Sequence, residues 1–187
     1  MQIDRKRLET KNLILDAAQF SDWEALYRNL WSHEESARYM LWTVTGSEEE
    51  ARERMRRTTA YQQEHPLAWT VFEKAEGRAI GFAGLEEIAE GVYEDTGIAV
   101  GPAFVRRGYG RQIVTALLEY SFHELGAKRF VYSCRANNAA SRALALACGF
   151  CYTHSEDRTD RRNGEAYVLE FYQISRVSAG GFQGDGS

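Results

Sequence analysis

Between Thr96 and Cys134 the chain reads as strand, loop, helix and strand, and this unit restricts the fold more than any other stretch. The run "YEDTGIAV" (Tyr93–Val100) passes Gly101 and Pro102 and enters a helix through Gly108-Tyr109-Gly110. The helical pattern puts Ile113, Val114, Leu117, Leu118, Phe122 and Leu125 on one face and stops at Gly126. A second strand, Lys128–Cys134, comes next. Two strands joined through a helix make a parallel crossover, here set among strands that are otherwise hairpin-linked.

Upstream, Asn12–Ala18 reads as a short strand, and Ser21–Trp31 as a helix capped by Ser21 with Glu24 at the third helical position. A capping box at Ser47 and Glu50 opens a helix from about Glu48 to His65, which Pro66 closes. "LAWTVFEK" and "RAIGFAGLEEI" are strand-like runs divided by the Gly77 turn, and with Tyr93–Val100 they form an antiparallel meander. Downstream, Asn138 is the N-cap of an alanine-rich helix that ends at Gly149. Two more strands, "FCYTHSE" and "EAYVLEFYQI", are joined by the polar turn "DRTDRRNG".

A length of 187 residues suits one compact domain, expected over 1–176, and 177–187 has the composition of a flexible tail. The net charge of -4 argues against nucleic acid as a partner, so any bound anion must meet a local cluster of base. No window reaches the roughly 18 apolar residues that span a bilayer, and "MQIDRKRLETKN" lacks the apolar core of a secretory signal. With Cys134, Cys148 and Cys151 odd in number and clustered late, a reduced, cytoplasmic setting without a membrane partner is expected. The histidines at 33, 65, 123 and 154 have no ligand spacing with these cysteines, so no metal site is expected.

The local cluster of base is the loop "AFVRRGYGRQIV" (Ala103–Val114), with three arginines and two glycines between Arg106 and Arg111. Amides at a helix start lack intrahelical acceptors and face the positive end of the dipole, so they form an anion site without side chains. Glycines let a diphosphate approach the backbone, and Arg106, Arg107 and Arg111 add charge. The loop is neither a G-x-x-x-x-G-K-[ST] phosphate loop nor a dinucleotide fingerprint, because the third glycine is missing.

Extended through the helix, strand and second helix behind the loop, the run "VRRGYGRQIVTALLEYSFHELGAKRFVYSCRANNAASRALALACGF" resembles the acetyl-CoA binding core of the GCN5-related N-acetyltransferases (GNAT), in the branch of the ribosomal-protein N-terminal acetyltransferases. The shared order is a strand ending in glycine and proline, R-x-x-G-x-G, a helix, a strand, and N-x-x-S ahead of G-F, here Asn138, Ser141 and Gly149-Phe150. More loosely, "RLETKNLILDAA", "ARYMLW" and the Ala68–Ile88 hairpin are similar to the family's opening strand, substrate-side helices and central hairpin, so the resemblance covers Arg7–Gln173. It implies an α+β (α/β) fold, a mixed and mostly antiparallel sheet of about seven strands splayed at a central parallel pair and flanked by helices.

The resemblance further implies that Val105, Arg106, Arg107, Gly108, Tyr109, Gly110 and Arg111 wrap the coenzyme diphosphate. Ile98, Ala99 and Val100 would pair with the pantetheine arm as an added strand, and Asn138 and Ser141 would lie near its sulfur. Acyl transfer to an amine needs a neutral amine, a thioester and a proton for the leaving thiolate. Many members supply that proton from a tyrosine four residues before the G-F glycine, but Ala145 stands there, and Ser141 is the nearest substitute. For the base, Asp95 matches the branch's acid two residues before Gly97; Glu94, Glu86 and a water relay stay open. Trp31, Tyr39, Met40 and Trp42 fall in the substrate-facing segment, as acceptor wall or as core. The resemblance implies acetyl-CoA as cosubstrate and a peptide N-terminus or small amine as acceptor, and homodimers occur among its members. Two other readings remain: an acetyl-CoA binding module without catalysis, and a thiol redox protein using Cys148 and Cys151 of "CGFC".

Overall fold

The computed structural model describes residues 5–176; the tail expected at 177–187 lies outside the described residues. The strands are β1 (Leu8–Glu9), β2 (Leu13–Asp16), β3 (Ala68–Glu73), β4 (Ala79–Ala89), β5 (Val92–Val100), β6 (Arg129–Arg135), β7 (Cys151–Thr159) and β8 (Ala166–Ser175). They hydrogen-bond in the order β1-β2-β3-β4-β5-β6-β8-β7, with β5 and β6 parallel. The eighth strand, beyond the expected seven, is β1, whose two residues are too few to show alternation in sequence. Two compact units group separately, one running to Glu86 and resuming over Thr96–Ala116, the other formed by Glu87–Asp95 and the chain from Leu117.

In the first unit, β2 pairs antiparallel with β3 from Leu13↔Glu73 to Asp16↔Thr70, and β3 with β4 from Ala68↔Gly84. Alternation sends Leu13, Leu15, Trp69 and Val71 inward, each at most 1% exposed. The helix expected over Ser21–Trp31 is instead a 3-10 turn (Phe20–Asp22), a single α turn, α1 (Trp23–Leu26), and a π turn (Tyr27–Trp31). Ser21 lies inside that first turn and does not cap it: the Gln19 N–H donates to Asp22 Oδ2 at 2.7 Å, because Asp22 has the spacing to reach back. Ser32 fixes the wide turn by donating both its N–H (3.2 Å) and its hydroxyl (2.8 Å) to the Tyr27 carbonyl. After a short α2 (Glu34–Ala37), α3 spans Glu48–Glu64. Ser47 caps it as expected, its Oγ accepting from the Glu50 N–H at 3.2 Å, but Glu50 does not close the box: its Oε2 accepts from the Gly46 N–H at 2.8 Å, one residue before the cap. Ala51 and Met55 of α3 pack with Leu26, Leu30, Trp31 and Ala79 in one buried cluster.

The helix expected after the loop is α4 (Tyr109–His123), with Ile113, Val114, Leu117, Leu118 and Phe122 all buried. In the second unit, β6 alternates cleanly, with Phe130, Tyr132 and Cys134 buried. Its parallel ladder with β5 covers Val92↔Arg129, Tyr93↔Phe130 and Glu94↔Val131. On its other side β6 pairs with β8, from Arg129↔Ser175 to Arg135↔Leu169, so the last strand lies inside β7. Solvent exposure along β7 fits its edge position. Asp160, in the β7–β8 turn, is 1% exposed and accepts from Arg162 at 2.6 Å and Arg135 at 2.7 Å. These two guanidiniums hold its carboxyl well below the usual carboxylate range. Asn138 caps α5 (Ala139–Ala147) as expected, its Oδ1 accepting from the Ser141 N–H at 3.1 Å. Phe150 then packs on Phe130 and Tyr132, with ring centroids 5.6 and 5.5 Å apart.

Candidate active site

The first unit carries the end of β5 and the arginine loop. Ile98, Ala99 and Val100 are half-buried, and the Gly101 N–H donates to the Ile80 carbonyl at 2.8 Å. Gly101 passes so close to the Asn29 carbonyl that a Cβ there would lie 1.8 Å from its oxygen. Glycine is thus required where β5 leaves the sheet, and Pro102 starts a 3-10 turn over Pro102–Phe104. Arg106 then takes φ +62°, the one positive φ at a non-glycine among the described residues, and Gly108 takes φ +75° with open space around its would-be Cβ. The first intrahelical bond here runs from Gln112 to the Gly108 carbonyl at 3.2 Å, so the Tyr109, Gly110 and Arg111 amides precede the first closed turn. This backbone suits the diphosphate of a coenzyme: open at Gly108, amide-rich and at the positive end of a long helix.

The side chains of the loop divide into two groups. Arg106, Arg107 and Arg111 are all exposed, but Arg107 and the buried Tyr109 also reach Glu73, a carboxylate that is 4% exposed at the end of β3. Tyr109 donates to Glu73 Oε1 at 2.7 Å and Arg107 at 3.3 Å, while Arg78 lies 3.5 Å from Oε2. Arg78 and Arg107 also lie over the Phe104 ring, 5.0 and 5.2 Å from its centroid. The bond to Glu73 raises the Tyr109 pKa above the ordinary phenol value. Glu73 was not among the residues expected from sequence, although period two puts it on the inward face behind Trp69 and Val71. An acid in that position had to have a buried partner.

The second unit carries Asp95, Asn138 and Ser141. Asp95 is 8% exposed and its Oδ2 accepts from the Ser133 N–H at 3.1 Å, one residue beyond the last β5–β6 ladder pair on β5. Ser141, in the first turn of α5, lies with its Oγ 2.7 Å from the hydroxyl of Tyr132. Burial, reinforced by the charge of Asp95, pushes the Tyr132 pKa far above its ordinary value. Cys134 also hydrogen-bonds Ser141, and burial pushes its thiol pKa up to about 11. Tyr132 was missed in the sequence, and its signal was a polar tip on the buried face of β6 between Phe130 and Cys134. Ala145, where many relatives place a tyrosine, is fully buried.

Of the other acids, Glu86 is exposed and Glu94 half-buried. Trp31 belongs to the core cluster, and with Trp42 it flanks the Arg54 guanidinium at 4.7 and 4.3 Å, where burial lowers that pKa to about 10. Tyr39 and Met40 are half-buried. Cys148 is a fully buried C-cap and Cys151 an exposed strand residue, neither in a disulfide, an arrangement unlike a redox pair opened at a helix N-terminus. Among the described residues, no helix is long and apolar enough to cross a membrane.

The chain thus combines a mixed sheet with one parallel pair, an arginine- and glycine-rich loop ahead of the crossover helix, and an N-x-x-S helix capped by Asn138. The chain belongs to the GNAT acetyltransferase family: the model of the acetyltransferase (GNAT) domain matches residues 12–151. Members use acetyl-CoA, and the protein is an acetyl-CoA-dependent N-acetyltransferase. It is similar to YoaA, an uncharacterized N-acetyltransferase of Bacillus subtilis (strain 168), at 27% identity over 89% of this chain and 95% of that protein. Among solved structures, a GCN5-related N-acetyltransferase from Brucella melitensis superposes with a TM-score of 0.82 at 22% identity, covering 95% of this chain and 81% of that one. The ribosomal-protein alpha-N-acetyltransferase RimL, solved with coenzyme A, gives 0.74 at 22% identity over 91% and 98%.

Proposed function

We propose that the protein moves an acetyl group from acetyl-CoA directly onto a primary amine, a protein N-terminus or a small amine, in a ternary complex, and that residues 1–176 act as one catalytic domain. The observation that carries this reading is the Asp95, Tyr132 and Ser141 cluster of the second unit, where a buried carboxylate and a protonated hydroxyl pair stand together. Bound acetyl-CoA supplies a thioester that an amine can attack. Asp95 takes the proton from the ammonium form of the acceptor, directly or through water, and Ser141 gives a proton to the departing sulfur. Val105–Arg111 holds the diphosphate with backbone amides, aided by the exposed Arg106 and Arg111. Ile98–Val100 pairs with the pantetheine arm, and Asn138, whose Oδ1 is taken by the helix cap, offers its Nδ2. A cysteine count that is odd and clustered late in the chain supports a cytoplasmic setting.

Thermal unfolding with and without acetyl-CoA, with ATP and NAD as controls, tests the cofactor half of the reading. At about a hundred times the dissociation constant, acetyl-CoA should stabilise the fold by about 2.7 kcal/mol, and no shift would remove the reading. An amine panel tests the other half. Turnover that Asp95→Asn or Ser141→Ala abolishes while CoA binding persists supports the roles of these two residues; binding without turnover of any amine would make the protein a coenzyme-sensing module.

A further inference from the structure

Glu73 does more than close the β3–β4 hairpin. That closure uses its backbone: the Glu73 N–H donates to the Arg78 carbonyl at 3.0 Å and its own carbonyl accepts from the Gly77 N–H at 2.8 Å. The side chain is left for other partners. Two of its three contacts go to Arg107 and Tyr109, 34 and 36 residues further along the chain, and those two residues bracket Gly108. Between them and the 3-10 turn stands Arg106, whose left-handed backbone costs free energy and persists only where its surroundings impose it. Phe104, on the near side of Arg106, is held under the same two guanidiniums that reach Glu73. Both flanks of the strained residue are therefore tied to one buried carboxylate. Among the described residues no carboxylate pairs with Arg106 or Arg111, so Glu73 takes up Arg107 and leaves two cations for a ligand.

We propose that Glu73 is the positioning residue of the coenzyme loop: through Tyr109 and Arg107, its buried carboxylate holds the Val105–Arg111 backbone in the shape that receives a diphosphate. This rests on Val105–Arg111 being the diphosphate loop. A role confined to folding would lower the active fraction and with it the apparent kcat; a role in positioning raises Kd and KM and leaves kcat alone.

The test compares wild type with Glu73→Gln and Tyr109→Phe. Calorimetric titration with CoA should show binding weakened about tenfold in Glu73→Gln and about threefold in Tyr109→Phe, the loss of one or more buried hydrogen bonds. At saturating acetyl-CoA, kcat should stay within about twofold of wild type. S-acetylpantetheine, which has the thioester and no diphosphate, should be used with the same kcat/KM by all three proteins. Variants that bind CoA as tightly as wild type, or that lose acetylpantetheine turnover in proportion, overturn the proposal. Should wild type itself bind CoA no better than pantetheine, the loop reading falls instead. If Glu73→Gln does not fold, Tyr109→Phe keeps the ring in place and decides alone.

Discussion

Tyr132 Oη and Ser141 Oγ lie 2.7 Å apart, one on a buried strand face and the other in the first turn of α5. With its pKa raised by burial and then by Asp95, the phenol keeps its proton at neutral pH, as does the Cys134 thiol at about 11. Either hydroxyl of the pair can be the donor, and only when the phenol donates is the serine hydrogen turned toward another partner. On the roles proposed above, a tyrosine on the strand, acting through Ser141, would stand in for the one that the resemblance implies at Ala145.

Tyr132→Phe should lower kcat by about tenfold with KM for acetyl-CoA within about twofold, the size of a typical loss of proton-transfer assistance. Ser141→Ala should lose as much alone as together with Tyr132→Phe, because the phenol acts only through the serine. Additive losses in steady-state kinetics would separate them.

The thiols should differ in reactivity. Cys151 is exposed, Cys148 is fully buried, and burial pushes the Cys134 thiol up to about 11, so iodoacetamide at pH 8 should label Cys151 first. Peptide mass spectrometry reads the order. Early labelling of Cys134 would contradict its burial.

Asp160 makes stability depend on acid. Its folded pKa lies below the unfolded value of about 3.9, so its contribution is complete above that pH and is lost as pH falls through the folded value. Asp160→Asn should therefore lower Tm at pH 7, and the gap to wild type should narrow below about pH 4. A gap independent of pH would mean that Arg135 and Arg162 do not hold an ionised carboxylate.

Gly101→Ala should destabilise the fold by about 1–3 kcal/mol in denaturant titration, because its methyl meets the Asn29 carbonyl, which is backbone and cannot swing away. Gly108→Ala faces open space and strains only φ, so a smaller loss of about 1 kcal/mol is expected there.

Elements with a strong local signal were legible in the sequence. The Ser47 cap, the Asn138 cap and the apolar face of α4 each contain their own evidence within one or two turns. The π turn at Tyr27–Trp31 was not legible, since its stabilising bonds come from Ser32 and nothing in the local period marks a widened turn. Strand order beyond β6 also escaped, because a hairpin looks the same whichever arm lies against the sheet. In the candidate site, the loop proposed to hold the coenzyme was visible as a cluster of arginine and glycine. Glu73 and Tyr132 were not, because each is bonded to a partner on another element, 36 and 9 residues along, although strand alternation marked both as buried polar groups in need of one.

Gln112, in the second turn of α4, accepts at its Oε1 from Thr10 Oγ1 (2.8 Å) and the Asn12 N–H (3.1 Å), and donates from Nε2 to Asn12 Oδ1 (3.0 Å), residues 102 and 100 positions earlier. The turn between the first two strands is therefore completed only after the ribosome has made more than half the protein. Such distant closure raises contact order and slows folding. A nascent chain stopped before Gln112 lacks the side chain that clasps both Thr10 and Asn12.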